Sequence, residues 1–174
     1  LGSSYDLIGL ADQVLLALTR ELDFRIEAAN TLRLQEILSS SNFVGTGILK
    51  VPSVWLELSS QRVLVLEWIR GESVLSPSAR TALTQGHQEG IKDANRALLG
   101  AFVEQYFVEG FFHADPHPGN LKVDGAGVIT LLDEGMVGNF DPATRNTLLD
   151  LVLALINQDS ARAADLLVLL APPA

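Results

Sequence analysis

Residues 113–120 read His-Ala-Asp-Pro-His-Pro-Gly-Asn, and thirteen positions after Asn120 comes Asp133, within the sequence Leu-Leu-Asp-Glu-Gly. Short apolar runs precede both stretches, Phe-Phe before residue 113 and an isoleucine with two leucines before Asp133. This pattern predicts two acidic side chains and one amide at turns that follow short strands. Such oxygen-bearing groups can hold one or two Mg²⁺ ions on a nucleotide triphosphate.

The residue types suggest separate roles within this pattern. Asp133 would supply a carboxylate ligand and Asn120 a neutral oxygen ligand. Asp115 lies five residues before Asn120, so it can face the same cavity and orient a hydroxyl group or a water molecule. Two prolines stiffen the turn, and Gly119 allows a positive φ just before Asn120.

The two histidines of the stretch leave alternatives open. His113 is interpreted chiefly as a structural residue that hydrogen-bonds the backbone of the second stretch, with proton transfer as the alternative. His117 is either a hydrogen-bonded brace of the loop or a contact to metal or phosphate. A zinc site of both histidines and an aspartate is a further option, which the prolines and the lack of another nearby histidine disfavour.

The order His-x-Asp-x-x-x-x-Asn followed by Asp-x-Gly is the spacing of the catalytic and metal-binding loops of protein kinases. The ending Pro-His-Pro-Gly-Asn is more specific and resembles the catalytic loop of the ABC1/ADCK/UbiB atypical kinases. Residues 21–30, Glu-Leu-Asp-Phe-Arg-Ile-Glu-Ala-Ala-Asn, are similar to the Glu-x-Asp signature helix of that family. Together with further matching segments at 51–52, 63–71 and 135–138, the resemblance covers roughly residues 14–170.

The resemblance implies an atypical kinase or ATPase that uses ATP and Mg²⁺. Asp115 and His113 would then be the catalytic residues, and Asn120 and Asp133 would bind the metal and the nucleotide. The implied role is support of isoprenoid-quinone (ubiquinone) biosynthesis at the cytoplasmic side of a membrane, with quinone precursors or other lipids as candidate partners.

Three acidic residues mark the predicted signature helix, namely Glu21, Asp23 and Glu27. By the resemblance, Glu27 would pair with the nucleotide-binding lysine, and the other two would be the signature carboxylates near the site. The alternative is a solvated acidic face partnered by Arg20 and Arg25. Glu27 is expected to be exposed, because no arginine of the same helix is well placed to neutralise it.

Glu67 and Ile69 close an apolar run where the hinge of a kinase would hold adenine through backbone groups, and an ordinary strand end fits the same residues. All three lysines of the chain follow Glu27, and no Gly-rich nucleotide loop precedes it. The sequence therefore predicts an N-terminally truncated fragment with about half of an ATP site, inactive alone.

Glu134 stands where the kinase pattern Asp-Phe-Gly has its phenylalanine. A buried unpaired carboxylate costs roughly several kcal/mol, so Glu134 is expected to be exposed or paired. Small-molecule phosphotransferases related to aminoglycoside kinases tolerate polar residues there, and their catalytic loop resembles His-x-Asp-x-His-x-x-Asn. They are the alternative enzyme family, and a non-catalytic pseudokinase scaffold is the third hypothesis.

Composition limits the class of protein. The chain has 174 residues, 48% of them hydrophobic, which fits one compact domain with a real core. A net charge of −9 argues against nucleic-acid binding and against electrostatic attraction to anionic lipid. There is no cysteine, and neither a signal peptide nor a membrane span is expected.

Periodicity predicts the elements that carry these motifs. Apolar residues at Leu22, Ile26, Ala29 and Leu32 predict a helix to about residue 38 with this face inward. A hairpin is predicted from runs 51–58 and 62–69, a long helix to about residue 108, a second hairpin at 121–132, and helices after 141 and from 160. The predicted class is α+β and kinase-like, with a single partial domain 1–174. It would comprise a partial N-lobe (1–70, signature helix and hairpin) and a mostly helical C-lobe (71–174).

Overall fold

The computed structural model describes residues 22–41 and 47–171. This part of the chain holds five α-helices: α1 (Phe24–Ser40), α2 (Pro77–Gly86), α3 (Ile91–Val103), α4 (Pro142–Ile156) and α5 (Ser160–Leu170). It also holds six short strands: β1 (Leu49–Lys50), β2 (Glu72–Ser73), β3 (Phe111–His113), β4 (Leu121–Val123), β5 (Ile129–Leu131) and β6 (Val137–Asn139). The predicted α+β class is confirmed.

Four strands form a mixed sheet in the order β1-β5-β4-β2. β4 and β5 make the antiparallel hairpin predicted from its Asp-Gly turn, with Leu121 opposite Leu131. The side chain of Asp124 closes the turn, because its Oδ1 accepts the backbone N–H groups of Ala126 and Val128 at 2.9 Å each. A second, two-stranded sheet pairs β3 with β6 and brackets the two loops of interest, 113–120 and 132–136.

One apolar core joins the helices to the larger sheet. It is made of buried side chains from α1, α2, α3 and the strands, among them Leu34, Leu83, Ala94, Val123 and Ile129. β4 and β5 contribute inward residues, so the loop that precedes β4 and the loop that follows β5 are anchored at fixed positions.

The helix α1 begins where Asp23 caps it, accepting the backbone N–H of Arg25 at 3.1 Å. Its buried face was predicted wrongly. Leu22 is 75% exposed, and Ile26 and Leu32 are 39% and 37% exposed. The buried side chains are instead Ala28, Thr31, Leu34, Ile37 and Leu38. This helix carries two apolar stripes, and its packing against the sheet and loop 132–136 selects the one that contains Thr31.

The hairpin predicted from 51–58 and 62–69 does not form regular strands. The two runs approach in antiparallel fashion through isolated bridges, Val54 opposite Leu66 and Ser60 opposite Val63. A short 3₁₀ helix at Leu56–Leu58 replaces the end of the first run. Leu56 is 55% exposed, so the end of this run has no packed face that would hold its residues in a pleated strand.

The last two helices follow the prediction. Asp141 caps α4 by accepting the backbone N–H groups of Ala143 and Thr144, and α5 starts at Ser160. They pack on each other in a small cluster of Ala154, Ala163 and Leu166. Within the described ranges, no helix has the length and apolar character needed to cross a bilayer.

Candidate active site

The two loops that carry the candidate residues lie side by side because of the β4–β5 hairpin. Leu121 and Leu131 are opposite one another in the ladder, and the backbone N–H of Leu132 donates to the carbonyl of Asn120 at 2.8 Å. Asn120 and Asp133 thus belong to chain segments that are directly hydrogen-bonded. The eleven residues of this hairpin (121–131) and Leu132 together account for the spacing of thirteen positions between Asn120 and Asp133.

His113 forms hydrogen bonds with backbone groups of both loops. It is 0% exposed. Its Nδ1 accepts the backbone N–H of Asp115 at 3.1 Å, so the ring proton resides on Nε2, which lies 3.4 Å from the carbonyl of Leu132. These contacts are those expected of a structural histidine that hydrogen-bonds the second loop.

A buried glutamine that the sequence analysis missed holds His113 in turn. After α3 the chain continues in a π-helical turn, Glu104–Glu109, which ends at Gly110 with φ 66°. Within this turn Gln105 is 0% exposed and accepts the backbone N–H of His113 at 2.9 Å. The signal in the sequence was a polar pair, Glu-Gln, between two apolar runs, residues 97–103 and 106–108. π turns often occur at functional sites because they redirect side chains.

The side chain of Asn120 is oriented by the first loop. Its Nδ2 donates to the carbonyl of Asp115 at 3.3 Å, which leaves Oδ1 as the atom that can coordinate a cation. The carboxylate of Asp115 is about half exposed and lies 3.7 Å from Nε2 of His117. Asp115 is therefore accessible to a substrate.

Asp133 has an uncommon backbone conformation, with φ 62°. Aspartate is among the few residues that tolerate this left-handed region, at some cost in energy. In a regular strand its side chain would alternate with that of Leu132, and the left-handed turn breaks this alternation just after β5. Gly119, which allows a positive φ, does not adopt one.

Gly119 is required for a different reason. A Cβ atom built there would lie 2.5 Å from Cε1 of His117, whose ring covers the glycine. His117 Nδ1 accepts the backbone N–H of Gly119 at 2.9 Å. His117 is thus the hydrogen-bonded brace that was one of its two interpretations.

Glu134 differs most from expectation. It is 0% exposed, and Oε1 has no hydrogen-bond partner among the described residues. Oε2 lies 3.2 Å from the hydroxyl of Thr31 in α1, and the backbone carbonyl of Glu134 accepts Nδ2 of Asn30 at 2.9 Å. Of the two outcomes expected for Glu134, exposed or paired, exposure is wrong, and the side chain is hydrogen-bonded instead. The partner is a neutral hydroxyl group rather than a cation.

Counting protons indicates the state of this carboxyl group. The hydroxyl of Thr31 has one proton and also lies 2.8 Å from the carbonyl of Glu27, which can only accept. If that proton is donated to Glu27, the contact with Glu134 is satisfied only when Glu134 is protonated. The pKa of Glu134 is raised from 4.5 to about 7, mainly by burial and also by the nearby charges of Glu27 and Asp133, while a hydrogen bond donated by Thr31 would favour the ionised form and opposes the shift.

The signature helix supplies the third part of the site. Asp23 forms an ion pair with Arg25 at 2.6 Å, and this hydrogen bond holds the pKa of Asp23 below its usual range. Glu27 is partly buried, so its predicted exposure was wrong, and it lies near enough to Glu134 to raise the pKa of that residue. Glu21 lies outside the described residues. Arg33 packs over the ring of Phe111 in β3, with Cζ 4.0 Å from the ring centroid.

Glu67 and Ile69 lie in a different part of the structure. Glu67 Oε1 pairs with Nζ of Lys50 at 2.8 Å, and this contact holds the pKa of Glu67 below its usual range. The two residues line a cleft of about 200 Å³ with Lys50 and Thr130. Neither Asn120 nor Asp133 is in the described wall of that cleft.

The donor set suits Mg²⁺. A protein usually gives a magnesium ion one or two oxygen ligands, such as a carboxylate and an amide oxygen. Phosphate and water oxygens complete the coordination. In the portion of the chain that is described, no group of three or more His, Cys, Asp or Glu residues is arranged to hold a metal ion. The zinc alternative therefore has no support from the geometry.

Comparison with known proteins shows which family the chain is similar to. A family model described as the ABC1 atypical kinase-like domain matches residues 2–167. A protein of Synechocystis sp., described as uncharacterized, is 39% identical over 168 residues, which cover 96% of this chain and 41% of that protein. The Arabidopsis thaliana protein named ACTIVITY OF BC1 COMPLEX KINASE 8, chloroplastic, is 32% identical over 160 residues, 91% of this chain and 20% of that protein.

A solved structure supports the same fold. The structure of Rv3197 from Mycobacterium tuberculosis in complex with erythromycin matches with a TM-score of 0.59 and 23% identity, over 95% of this chain and 39% of that one. This chain spans at most 41% of the length of each of these three proteins. Because the family model matches nearly the whole chain, the chain belongs to the ABC1 atypical kinase-like family.

Proposed function

We propose that this chain forms the catalytic part of a Mg²⁺- and ATP-dependent atypical kinase or ATPase of the ABC1 type. The observation that carries the proposal is the hydrogen bond from Leu132 N–H to the carbonyl of Asn120 at 2.8 Å. It joins Asn120, one expected metal ligand, to Leu132, the residue directly before the other expected ligand, Asp133. Membership of the family supports a phosphotransferase chemistry in general.

Each residue of the site has a proposed task. Asn120 and Asp133 hold the metal ion, which neutralises charge on the phosphate groups when it is bound. Asp115 orients the group that receives the phosphoryl, either a hydroxyl or a water. His113, buried between the loops, keeps their backbones in register and leaves Asp115 to act on the substrate.

The finer parts of the proposal rest on the family resemblance. Glu27 pairs with a nucleotide-binding lysine in the complete protein, and the backbone near Glu67 and Ile69 contacts adenine. The activity supports isoprenoid-quinone biosynthesis, with quinone precursors or other lipids as partners, and the complete protein is associated with the cytoplasmic side of a membrane. Relatives of this chain include proteins named as chloroplastic, a setting with its own quinones and membranes.

The metal site can be tested with Mn²⁺, which prefers the same hard oxygen ligands and broadens nearby NMR signals because it is paramagnetic. The chain is labelled with ¹⁵N and titrated with Mn²⁺ in the presence of millimolar ATP. Amide signals of residues 119, 120, 133 and 135 should broaden first. With Asp133→Asn, this selective broadening should be lost, because the anionic ligand is removed.

The matched control is Asp150→Asn, since the side chain of Asp150, on α4, is about half exposed and pairs with Arg162 on α5. It should leave the broadening unchanged. Broadening that is spread over acidic surface residues, or that survives Asp133→Asn, would refute the proposed site. It would favour the non-catalytic scaffold instead.

A further inference from the structure

Glu134 is a buried carboxyl group that has no role in the proposed metal binding or phosphoryl transfer. Its backbone and side chain both contact α1, across more than a hundred residues of sequence. Nδ2 of Asn30 lies 2.9 Å from the carbonyl of Glu134, and the hydroxyl of Thr31 lies 3.2 Å from its Oε2. Thr31 and Glu134 are each 0% exposed, so the contact between their side chains is shielded from water.

The position of Glu134 in the chain links this contact to the candidate site. It directly follows Asp133, the expected metal ligand, whose backbone is held at φ 62°. The residues it touches directly follow the segment of α1 that holds Glu27, and Thr31 also bonds the carbonyl of Glu27 at 2.8 Å. One buried hydroxyl group therefore connects the backbone at Glu27 with the loop of Asp133.

An apolar residue at position 134 would pack beneath the helix through contacts that are not directional. A carboxyl group hydrogen-bonded to a hydroxyl group fixes both distance and orientation. It is also intolerant of displacement, because a buried carboxyl oxygen that loses its partner incurs the full desolvation penalty. Loop 132–136 and α1 should therefore move together or not at all.

We propose that Glu134 is a positioning residue: with Asn30 and Thr31 it forms a polar latch that fixes the metal-binding loop to the signature helix. The latch sets the position of Asp133 relative to Glu27, and so couples metal and nucleotide binding to the placement of α1. This role rests on the proposed nucleotide site, while the latch itself is a contact between two parts of the chain.

The test compares Thr31→Val with Thr31→Ser in the full 174-residue chain. Valine removes the hydroxyl group at nearly constant volume, and serine retains it. Thr81→Val is the matched control, since Thr81 also bonds the carbonyl four residues before it, at 3.1 Å, but lies exposed on α2. Amide signals of residues 133–136 are recorded for each variant, followed by titration with Mn²⁺ and ATP.

With the latch, Thr31→Val should shift or broaden the signals of residues 133–136 and weaken Mn²⁺–ATP binding about three- to tenfold, the effect of one hydrogen bond. Thr31→Ser should restore both, and Thr81→Val should change neither. If Thr31→Val only lowers the unfolding midpoint while the loop signals and the affinity stay unchanged, the residue is merely structural and the proposal is refuted.

A second variant protects the test against loss of folding. Asn30→Ala removes the other half of the latch from a partly buried position, so it should preserve the fold while disturbing the same loop signals. An unperturbed loop in this variant would also refute the latch. Failure of the unmodified chain to bind Mn²⁺–ATP would refute the nucleotide site, and the loop signals alone would still decide whether α1 and the loop are coupled.

Discussion

At the scale of single residues, Glu134 should determine how stability varies with pH. Burial raises its pKa from 4.5 to about 7, so the folded chain binds more protons than the unfolded chain between these values. The free energy of unfolding should therefore fall as pH rises through this window. Glu134→Gln mimics the protonated carboxyl group and lacks this dependence.

The prediction compares the free energy of unfolding of the unmodified chain with that of the Glu134→Gln variant. Near about pH 5 they should be almost equally stable, and near about pH 8 Glu134→Gln should be more stable by roughly 2 to 3 kcal/mol. Urea unfolding of both chains across this range measures the gap. A gap that does not widen with pH would mean that a further partner or a bound water keeps Glu134 ionised in the folded chain.

Asp133 gives a second prediction, because its φ of 62° is unfavourable for any residue with a Cβ atom. Asp133→Gly should be more stable than Asp133→Ala by roughly 1 kcal/mol, since glycine adopts this region freely. The comparison removes the carboxylate from both chains and so isolates the backbone. Denaturant unfolding measures it, and equal stability of the two variants would argue against the left-handed conformation. Either variant should also lose the metal site, which places strain and function at one residue.

At the scale of elements, the π turn at Glu104–Glu109 carries the first loop. Gln105 accepts the backbone N–H of His113 from a position that is 0% exposed. Gln105→Met keeps the approximate shape but removes the acceptor, so a buried N–H group loses its partner. We expect a loss of about 1 to 3 kcal/mol and faster hydrogen exchange at the His113 amide.

The same substitution on an exposed helix provides the comparison. Gln85→Met on α2 should change stability by less than about 0.5 kcal/mol, as is usual for surface positions. If the two methionine variants were equally stable, His113 would not depend on the π turn for its position.

The elements also show what the sequence could and could not predict. The β4–β5 hairpin follows from Asp-Gly flanked by apolar residues, and the caps at Asp23, Asp141 and the Ser76-Pro77 pair mark helix starts locally. These features are determined by neighbours in sequence. The buried face of α1 is decided by distant partners, namely the apolar core around the strands and Glu134, so its periodicity alone selected the wrong stripe.

The residues of the candidate site also fall into those that local sequence predicts and those that it does not. The spacing of Asn120 and Asp133 was readable because a hairpin of fixed length joins them. The roles of Gln105 and Thr31 were not, since Gln105 reaches His113 through an irregular π turn and Thr31 acts through a contact with Glu134, 103 residues away. The run at 51–58 failed for a related reason: β-type residues form a strand only when one face is covered, and Trp55 and Leu58 are 50% and 60% exposed.

At the scale of the whole molecule, the distribution of cations limits what the chain can bind. The charge is −9, and all three lysines follow Glu27 in sequence. Lys122 lies on β4, opposite Thr130. Lys50 is held by Glu67 at 2.8 Å. The chain alone should therefore bind Mg²⁺–ATP weakly, and calorimetry should show no submicromolar affinity.

The ion pair between Lys50 and Glu67 makes this prediction specific. If the pair is retained when nucleotide binds, Lys50→Met should leave the affinity for Mg²⁺–ATP unchanged within about twofold, since a change of that size is under 0.5 kcal/mol. Lys92→Met, at an exposed position on α3, provides the comparison for the loss of one positive charge. A loss of affinity in Lys50→Met alone would mean that Lys50 leaves Glu67 and neutralises phosphate. The chain would then supply from β1 the cation that a kinase takes from before its signature helix, and the assignment of Glu27 as the partner of that lysine would have to be abandoned.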